Sequence, residues 1–311
     1  MTTTGIWGLG GWVARAAAIG LLLAWALPGK AAEREAGPAR TAIISAFEPE
    51  WQSLQAGLEG RAEHIIKGTV FVTGTIAEKP VVLFLSGISM VNAALTTQMA
   101  LDHFRIERLV FSGIAGGIDP ALNIGDVVVP ERWSQYLEAV FAREKDGAYT
   151  LPSFAGRDTP NFGMIFPQPV QIAQGHAQPQ KMTWFPVDAG LLEVARKIGG
   201  ETSLAQCTAG NECLARRPRI IIGGNGVSGQ AFVDNKAFRE YVNAAFTARV
   251  VDMESAAVAH VAQVNGTPFI AFRSLSDLAG GGEGENEIGT FFRLASDNSA
   301  ALVKAFVKAL P

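Results

Sequence analysis

Short apolar runs alternate with segments of helical periodicity from Thr41 to the end of the chain. The apolar runs predict strands over residues 41–47, 81–86, 109–112, 125–130, 219–223, 249–253 and 268–273. Helices are predicted from Pro49, over residues 91–104, 188–198, 235–245 and 254–265, and in a last segment that ends at about Leu310. Strands that are apolar on both faces are typical of a sheet covered by helices on both sides. The pattern therefore predicts a single α/β domain over residues 41–311, with three α/β/α layers around a central, twisted, mixed sheet.

The periodicity is lost between Glu131 and Pro186, where aromatic residues, proline, glycine and glutamine predominate. The aromatic residues supply apolar surface that an ordered segment can bury, which a disordered linker lacks. They are Trp133, Tyr136, Phe141, Phe154, Phe162, Phe166, Trp184 and Phe185. We therefore predict a long, ordered insertion over residues 131–186.

The first residues have the pattern of a secretory signal. A single positive charge, Arg15, precedes an uncharged run from Ala16 to Gly29, which is shorter than the roughly 20 residues that span a bilayer. We predict a signal peptide over residues 1–32, with cleavage near Ala31 or Ala32 and no stable membrane insertion afterwards. An uncleaved N-terminal anchor is the alternative. In either case the domain is expected outside the cytoplasm, in the periplasm or secreted.

The charge balance argues against a nucleic-acid partner. Loss of Arg15 and Lys30 with the signal would change the formal net charge from −3 to −5. No cluster of basic residues remains to follow a phosphate backbone.

The two cysteines, Cys207 and Cys213, lie close together in a polar stretch that contains glycine and asparagine. In an oxidising compartment they are expected to form a disulfide. A zinc site is the alternative, but it would need further cysteine or histidine ligands nearby, and the four histidines are scattered.

Polar residues follow several predicted strands, where ligands bind in open α/β sheets. These segments are Glu48-Pro49-Glu50, the glycine-rich Ser112 to Gly117, Asp252-Met253-Glu254, and Arg273 to Asp277. Each has a structural explanation by itself: an acid in a first helical turn, a loop cap, a surface ion pair or a tight turn. Three acids and one arginine at successive strand ends together indicate a shared site.

The same segments, in the same order, resemble motifs of a known family. The motifs are Ala46 to Glu50, Ser112 to Gly117 with Gly125 to Val129, Val227 to Val233, Val251 to Ala256, and Arg273 to Asp277. The chain resembles the nucleoside phosphorylase and nucleosidase superfamily, in particular the 5′-methylthioadenosine/S-adenosylhomocysteine nucleosidases, over most of residues 41–130 and 219–310.

The resemblance implies a role for each charged residue. Departure of a purine leaves positive charge on the ribose and negative charge on the base. Asp277 would protonate nitrogen 7 of the purine as the general acid, oriented by Ser276. Glu254 would hold the ribose hydroxyls beside the cationic sugar. Glu50 would activate the attacking water, which Arg273 would help to position.

The resemblance also implies the substrate-binding residues. Phe232 would stack on the base, the Val233 backbone would bind its edge, and Met253 would pack on the ribose. Gly116 belongs to the glycine loop, where Ile114 stands in place of the family's small hydroxyl residue. Residues 110–112 lack the arginine by which the hexameric phosphorylases bind phosphate.

The sequence thus predicts a hydrolase that cleaves the N-glycosidic bond of a purine nucleoside, resembling methylthioadenosine, adenosylhomocysteine or adenosine. A phosphate-dependent phosphorylase is one alternative, and an exported nucleoside-binding or storage protein without activity is another. The resemblance implies no metal or organic cofactor. It also implies a homodimer, because family members complete the pocket for the 5′ substituent with a neighbouring subunit.

Overall fold

The structure is a computed structural model that describes residues 37–173 and 178–311. These residues belong to one compact unit, Arg34–Pro311. The predicted signal peptide, residues 1–32, lies outside the described residues.

The described chain contains single strands and groups of strands that are separated by helices. The strands are β1 (Arg40–Ser45), β2 (Glu59–Ile66), β3 (Thr69–Ile76), β4 (Lys79–Leu85), β5 (Ile106–Gly117), β6 (Val127–Val129), β7 (Arg132–Gln135), β8 (Ala139–Phe141), β9 (Arg143–Lys145), β10 (Ala148–Thr150), β11 (Ile165–Pro167), β12 (Val170–Ile172), β13 (Gln180–Met182), β14 (Phe185–Pro186), β15 (Ile220–Ile222), β16 (Asn225–Ser228), β17 (Ala248–Asp252) and β18 (Phe269–Asp277). The helices are α1 (Glu48–Gln55), α2 (Met90–His103), α3 (Ala189–Gly199), α4 (Lys236–Phe246), α5 (Ser255–Asn265) and α6 (Ile288–Ala309).

A 12-stranded sheet forms the centre of the fold. Its main path runs β14-β7-β16-β17-β5-β1-β4-β3-β2, while β18 pairs with β5 and β6, and β15 pairs with β6. The pairs β1–β4, β1–β5 and β18–β5 are parallel, whereas β17–β5 and β3–β4 are antiparallel. The predicted mixed sheet is therefore confirmed.

Helices pack in two groups around this sheet. Helices α1 and α3 contact α6, which covers β18 and β5, while α2 contacts α5. Every residue of β18 is buried, as the apolar runs of the sequence require for a strand between two helical layers. The predicted three-layer α/β/α architecture is confirmed.

Two strands are longer in the structure than the sequence pattern predicts. The sequence pattern ends one strand at residue 112 and another at residue 273, but β5 continues to Gly117 and β18 to Asp277. The two strands run side by side over these extensions, with Gly113 opposite Arg273 and Gly116 opposite Asp277. The glycine segment is therefore paired strand rather than a tight turn, and Arg273 lies within a strand.

The antiparallel hairpin β2–β3 was not predicted. Strand β2 lies at the end of the sheet and is mostly exposed, so its sequence carries charged residues instead of an alternating apolar pattern.

The segment over residues 131–186 is partly integrated into the central sheet. Strand β7 pairs with β16, and the fully buried Trp133 packs so closely on Gly226 that a Cβ there would lie 2.6 Å from the indole ring. Strand β14 pairs with β7, and the other strands of the segment form three two-stranded sheets, β8–β11, β9–β10 and β12–β13. Phe141 and Phe154 are exposed, contrary to the expectation that these aromatic residues supply buried surface.

Cys207 and Cys213 form a disulfide, which confirms the expected pairing and leaves neither thiol free to bind zinc. Among the described residues, no helix is both long enough and apolar enough to cross a membrane.

Candidate active site

The expected site residues converge on one cavity. Its volume is about 160 Å³, and the cavity is open to solvent on one side. The lining includes nine of the residues expected from the sequence: Glu50, Ile114, Gly116, Phe232, Val233, Met253, Glu254, Ser276 and Asp277. The tenth, Arg273, is fully buried and contacts two of the lining acids.

Glu50 is held by three backbone amides. Its Oε2 accepts hydrogen bonds from the amides of Ala46 (2.8 Å) and Phe47 (3.1 Å), and its Oε1 accepts one from Ile114 (2.9 Å). Burial raises the pKa of Glu50, while the charge of Arg273 and these hydrogen bonds oppose the rise. The carboxylate therefore caps the start of α1 and also faces the cavity.

Arg273 is the charged centre of the site. Its Nε lies 2.7 Å from Oδ2 of Asp252 and donates to Oγ of Ser255 at 2.9 Å, and its Nη2 lies 3.6 Å from Oε2 of Glu254. The guanidinium carbon lies 4.0 Å from the centre of the Phe111 ring. A buried guanidinium needs such a set of partners, because removing it from water is costly.

The glycines of β5 make room for these charged groups. A Cβ on Gly113 would lie 2.2 Å from Nη1 of Arg273 and 2.8 Å from Oε1 of Glu50. A Cβ on Gly116 would lie 3.2 Å from Oδ1 of Asp277. These glycines thus let the backbone of β5 approach the charged groups closely.

Glu254 lies at the start of α5, and its Oε1 accepts a hydrogen bond of 2.8 Å from the amide of Ser89. Burial raises the pKa of Glu254 to about 7, the charges of Asp252 and Glu50 add to the rise, and Arg273 opposes it. This carboxyl can therefore exchange a proton near neutral pH.

Asp277 is buried at the end of β18. Its Oδ2 accepts a hydrogen bond from Ser276 Oγ (2.9 Å), and its Oδ1 accepts one from the amide of Ala279 (2.8 Å). Burial raises the pKa of Asp277, which favours the protonated form that a general acid needs.

Asp252 was missed as a separate site residue, although it stands in the predicted segment Asp252-Met253-Glu254. Its Oδ1 accepts hydrogen bonds from Ser228 Oγ and from the amides of Glu254 and Ser255, the latter two at 3.2 Å. Its other oxygen pairs with Arg273. Its position at the end of a buried strand, two residues before Glu254, could have indicated it.

Three apolar residues of the lining, Phe47, Ile88 and Ile288, were also missed. They come from three separate segments of the chain, and no local pattern in the sequence connects them.

The lining combines apolar walls with acids. Four carboxylates, Glu50, Asp252, Glu254 and Asp277, contribute to it, and none of its residues is lysine, arginine or histidine. In the described part of the chain, no three histidine, cysteine, aspartate or glutamate side chains are grouped so that they could hold a metal ion.

A mainly apolar cavity with a few buried acids at strand ends is typical of an enzyme site for a small organic ligand. The family model of the Phosphorylase superfamily matches residues 40–308, and the chain belongs to this superfamily.

Individual relatives agree with this assignment. The chain is 30% identical to a 5′-methylthioadenosine/S-adenosylhomocysteine nucleosidase of Geobacillus kaustophilus over 272 residues, which cover 87% of this chain and 97% of the relative. A Helicobacter pylori nucleosidase mutant with 5′-methylthioadenosine in its active site has a TM-score of 0.68 at 24% identity, covering 88% of this chain and all of that one. The Colwellia psychrerythraea nucleosidase in complex with adenine has a TM-score of 0.66 at 28% identity. The match covers 88% of this chain and 96% of that chain.

Replacing Arg273 by methionine should destabilise the fold strongly at neutral pH, since Asp252 and Glu254 would be left buried without their cation. The expected loss in the free energy of unfolding is about 3–5 kcal/mol, measured by urea denaturation. Burial already raises the pKa of Glu50 and Glu254, so their ionised forms oppose folding above pH 4.5. The deficit should therefore shrink as the pH falls from neutral to about 5.

The matched control is Arg61→Met, which removes an exposed ion pair with Glu63. It should cost less than about 1 kcal/mol. Equal losses in the two variants would contradict the central role of Arg273.

Proposed function

We propose that this protein hydrolyses the N-glycosidic bond of a purine nucleoside, giving the free base and the ribose moiety. The observation that carries the proposal is a buried acid, Asp277, in the same cavity as the carboxylates of Glu50 and Glu254. The relatives named as nucleosidases support the same reaction.

In this reaction the bond between the sugar and nitrogen 9 breaks, and its electron pair passes to the base. Asp277 gives its proton to nitrogen 7, which neutralises the departing base. Ser276 and the amide of Ala279 then stabilise the aspartate anion that remains.

The sugar becomes cationic as the base departs, and water then adds to its anomeric carbon. Glu254 lies where its negative charge can stabilise that cation while binding the ribose hydroxyls. Glu50 accepts the proton that the water loses, and its raised pKa makes it a stronger base than an exposed glutamate.

The charges of the cavity favour water over phosphate as the nucleophile. The lining has four carboxylates and no cationic side chain, so a phosphate dianion would meet repulsion without a partner. Arg273 does not line the cavity: it is fully buried, and its Nε is held by Asp252 and Ser255. This arrangement disfavours the phosphorylase alternative.

The apolar walls suit the remaining parts of the substrate. Phe232 offers a half-exposed aromatic face for stacking on the purine, and Met253 packs beside Glu254 for the ribose. Phe47, Ile88 and Ile288 form an apolar part of the wall, which suits a thioether at the 5′ position.

Asp277→Asn should reduce release of free base by about two to four orders of magnitude, because the amide cannot donate the proton. The measurement is chromatographic detection of free adenine from methylthioadenosine, adenosylhomocysteine and adenosine, with and without inorganic phosphate. The control, Asp102→Asn, changes an exposed aspartate of α2 and should leave the rate unchanged.

Three results would contradict this proposal. Unchanged turnover in Asp277→Asn would refute the acid assignment, and a rate that requires phosphate would identify a phosphorylase. Tight nucleoside binding by the wild-type chain without release of base would identify a binding or storage protein.

We also propose a homodimer formed through the exposed face of α2. Val91 is 66% exposed and Leu95 is 59% exposed, one helical turn apart, and Val264 of the adjacent α5 is equally exposed. Ile88, which lines the cavity, continues this apolar face to the active site. A second copy of the chain would cover the face and complete the cavity mouth, as the family resemblance implies.

Leu95→Asp should convert the dimer into a monomer, because a charge would be buried in the interface. Light scattering coupled to size-exclusion chromatography measures the mass. Ile65→Asp is the control: Ile65 is 73% exposed on β2, away from this face, and its replacement should leave the mass unchanged. A monomeric wild type would refute the dimer.

We propose that the protein is exported to the periplasm or secreted. The apolar run after Arg15 supports this, and so does the disulfide between Cys207 and Cys213, since such bonds persist in oxidising compartments.

Mass spectrometry of the protein from separated cell fractions should find a chain that begins just after Ala31 or Ala32. A chain lacking residues 2–32 is the control, and it should stay in the cytoplasm. A full-length chain in the membrane fraction would indicate the uncleaved anchor, and a full-length cytoplasmic chain would refute export.

A further inference from the structure

The segment over residues 131–186 reaches the active site through strand β7. This strand lies parallel to β16, with Gln135 opposite Ser228, and the amide of the next residue, Tyr136, donates a hydrogen bond of 3.2 Å to the Ser228 carbonyl. The chain that leaves β16 runs over residues 229–233, which we call the base-stacking segment because it carries Phe232. Tyr136 therefore lies beside the start of the base-stacking segment.

Tyr136 is buried and contacts the base-stacking segment at two points. Its ring lies against the backbone of Gly229, where a Cβ would be 2.7 Å from the ring carbons Cε1 and Cζ. Its hydroxyl donates a hydrogen bond of 3.3 Å to the carbonyl oxygen of Ala231. Ala231, Phe232 and Val233 line the cavity, so the second contact is made at the cavity wall itself.

Aromatic packing holds the ring of Tyr136. Its centre lies 5.7 Å from the ring centre of Phe238 on α4, and Phe238 in turn lies 5.1 Å from Phe162, another residue of the 131–186 segment. Burial, and then the charge of Asp252, raise the pKa of Tyr136 above its usual value, so its hydroxyl stays protonated and able to donate. Both the position and the proton of this donor are therefore fixed.

The base-stacking side chain has little packing of its own. Phe232 is 55% exposed, and Ala231 before it is exposed as well. A stacking ring contributes most to affinity when it is ordered before the ligand arrives, because ordering it during binding costs conformational entropy. For Phe232 that order has to come through the backbone, and the Ala231 carbonyl is the adjacent backbone group that a buried side chain holds.

We propose that Tyr136 is a positioning residue, which fixes the base-stacking segment and thereby sets the affinity of the cavity for a purine base. The inference rests on the proposed function because it takes a purine as the ligand, but it concerns binding of the base and not cleavage of the bond. It also gives the 131–186 segment a role in the site, since that segment supplies the tyrosine.

Tyr136→Phe tests the hydroxyl, because it keeps the buried ring and removes only the donor. The dissociation constant for adenine, measured by isothermal titration calorimetry, should rise on the order of threefold, as for the loss of one neutral hydrogen bond. Gly229→Ala should raise it further, since the new Cβ would displace the ring together with the hydroxyl. In assays of methylthioadenosine hydrolysis KM should rise by a similar factor, while kcat changes by less than about twofold because Asp277 keeps its contacts.

Tyr241→Phe is the matched control. Its hydroxyl also donates to a backbone carbonyl, that of Pro160 at 2.8 Å, and its ring lies 5.6 Å from Phe238 in the same group of aromatic rings. Pro160 does not line the cavity, so this variant should bind adenine as the wild type does. Equal losses of adenine affinity in the two tyrosine variants would assign the effect to the packing of α4 and overturn the proposal.

A double-mutant cycle with Phe232→Ala tests whether Tyr136 acts through the stacking ring. If it does, Tyr136→Phe should have little further effect on adenine affinity once the ring of Phe232 has been removed. Additive losses in the double variant would contradict this. Unchanged adenine affinity in folded Tyr136→Phe and Gly229→Ala would also overturn the proposal.

Failure of the proposed function would give a different result. A wild type that binds adenine but releases no base from nucleosides would refute the hydrolysis, and the adenine titrations would still decide the role of Tyr136. A wild type that binds no adenine would refute the inference itself.

Discussion

The burial of one guanidinium group among carboxylates is the interaction on which the site depends. Arg273 lies in the middle of a fully buried strand, so its charge has no water and must be balanced by Asp252 and Glu254. Asp252 is the last residue of β17 and Glu254 lies two residues later, while the backbone of Ile114 on β5 binds Glu50. The pairing of these charges therefore fixes how the strand ends meet.

The same constraint explains the small residues beside the charges. Because β18 and β5 are parallel neighbours, a side chain on one strand lies over the backbone of the other. Gly113 and Gly116 are opposite Arg273 and Asp277, and a Cβ at either position would press on the charged side chain. The sheet can hold these large charged side chains in its core only because the neighbouring strand has glycine, which lacks a side chain, at the facing positions.

The alternation of strands and helices was predictable because it repeats along the chain, and the acids at 50, 254 and 277 were predictable because they follow buried runs. The hydrogen bond between Asn286 and Asp234 was not, since it depends on a long loop that returns to the segment after Phe232. Strand β2 was missed because an edge strand needs no apolar face. Sequence patterns thus reveal what is periodic or local, whereas contacts made through loops require the fold.

The charge balance of the cavity also bears on its chemistry. The buried cation Arg273 lies beside Asp252 and Glu254, with Asp252 the closer, and its charge also acts on Glu50, whereas Asp277 is held by Ser276 and the amide of Ala279. Burial raises the pKa of Glu50, Glu254 and Asp277, that of Glu254 to about 7, and the charges of Asp252 and Glu50 add to the rise at Glu254. Burial therefore makes the ionised acids costly to the fold. At Asp277 the same burial favours the protonated form, whose proton a departing purine needs.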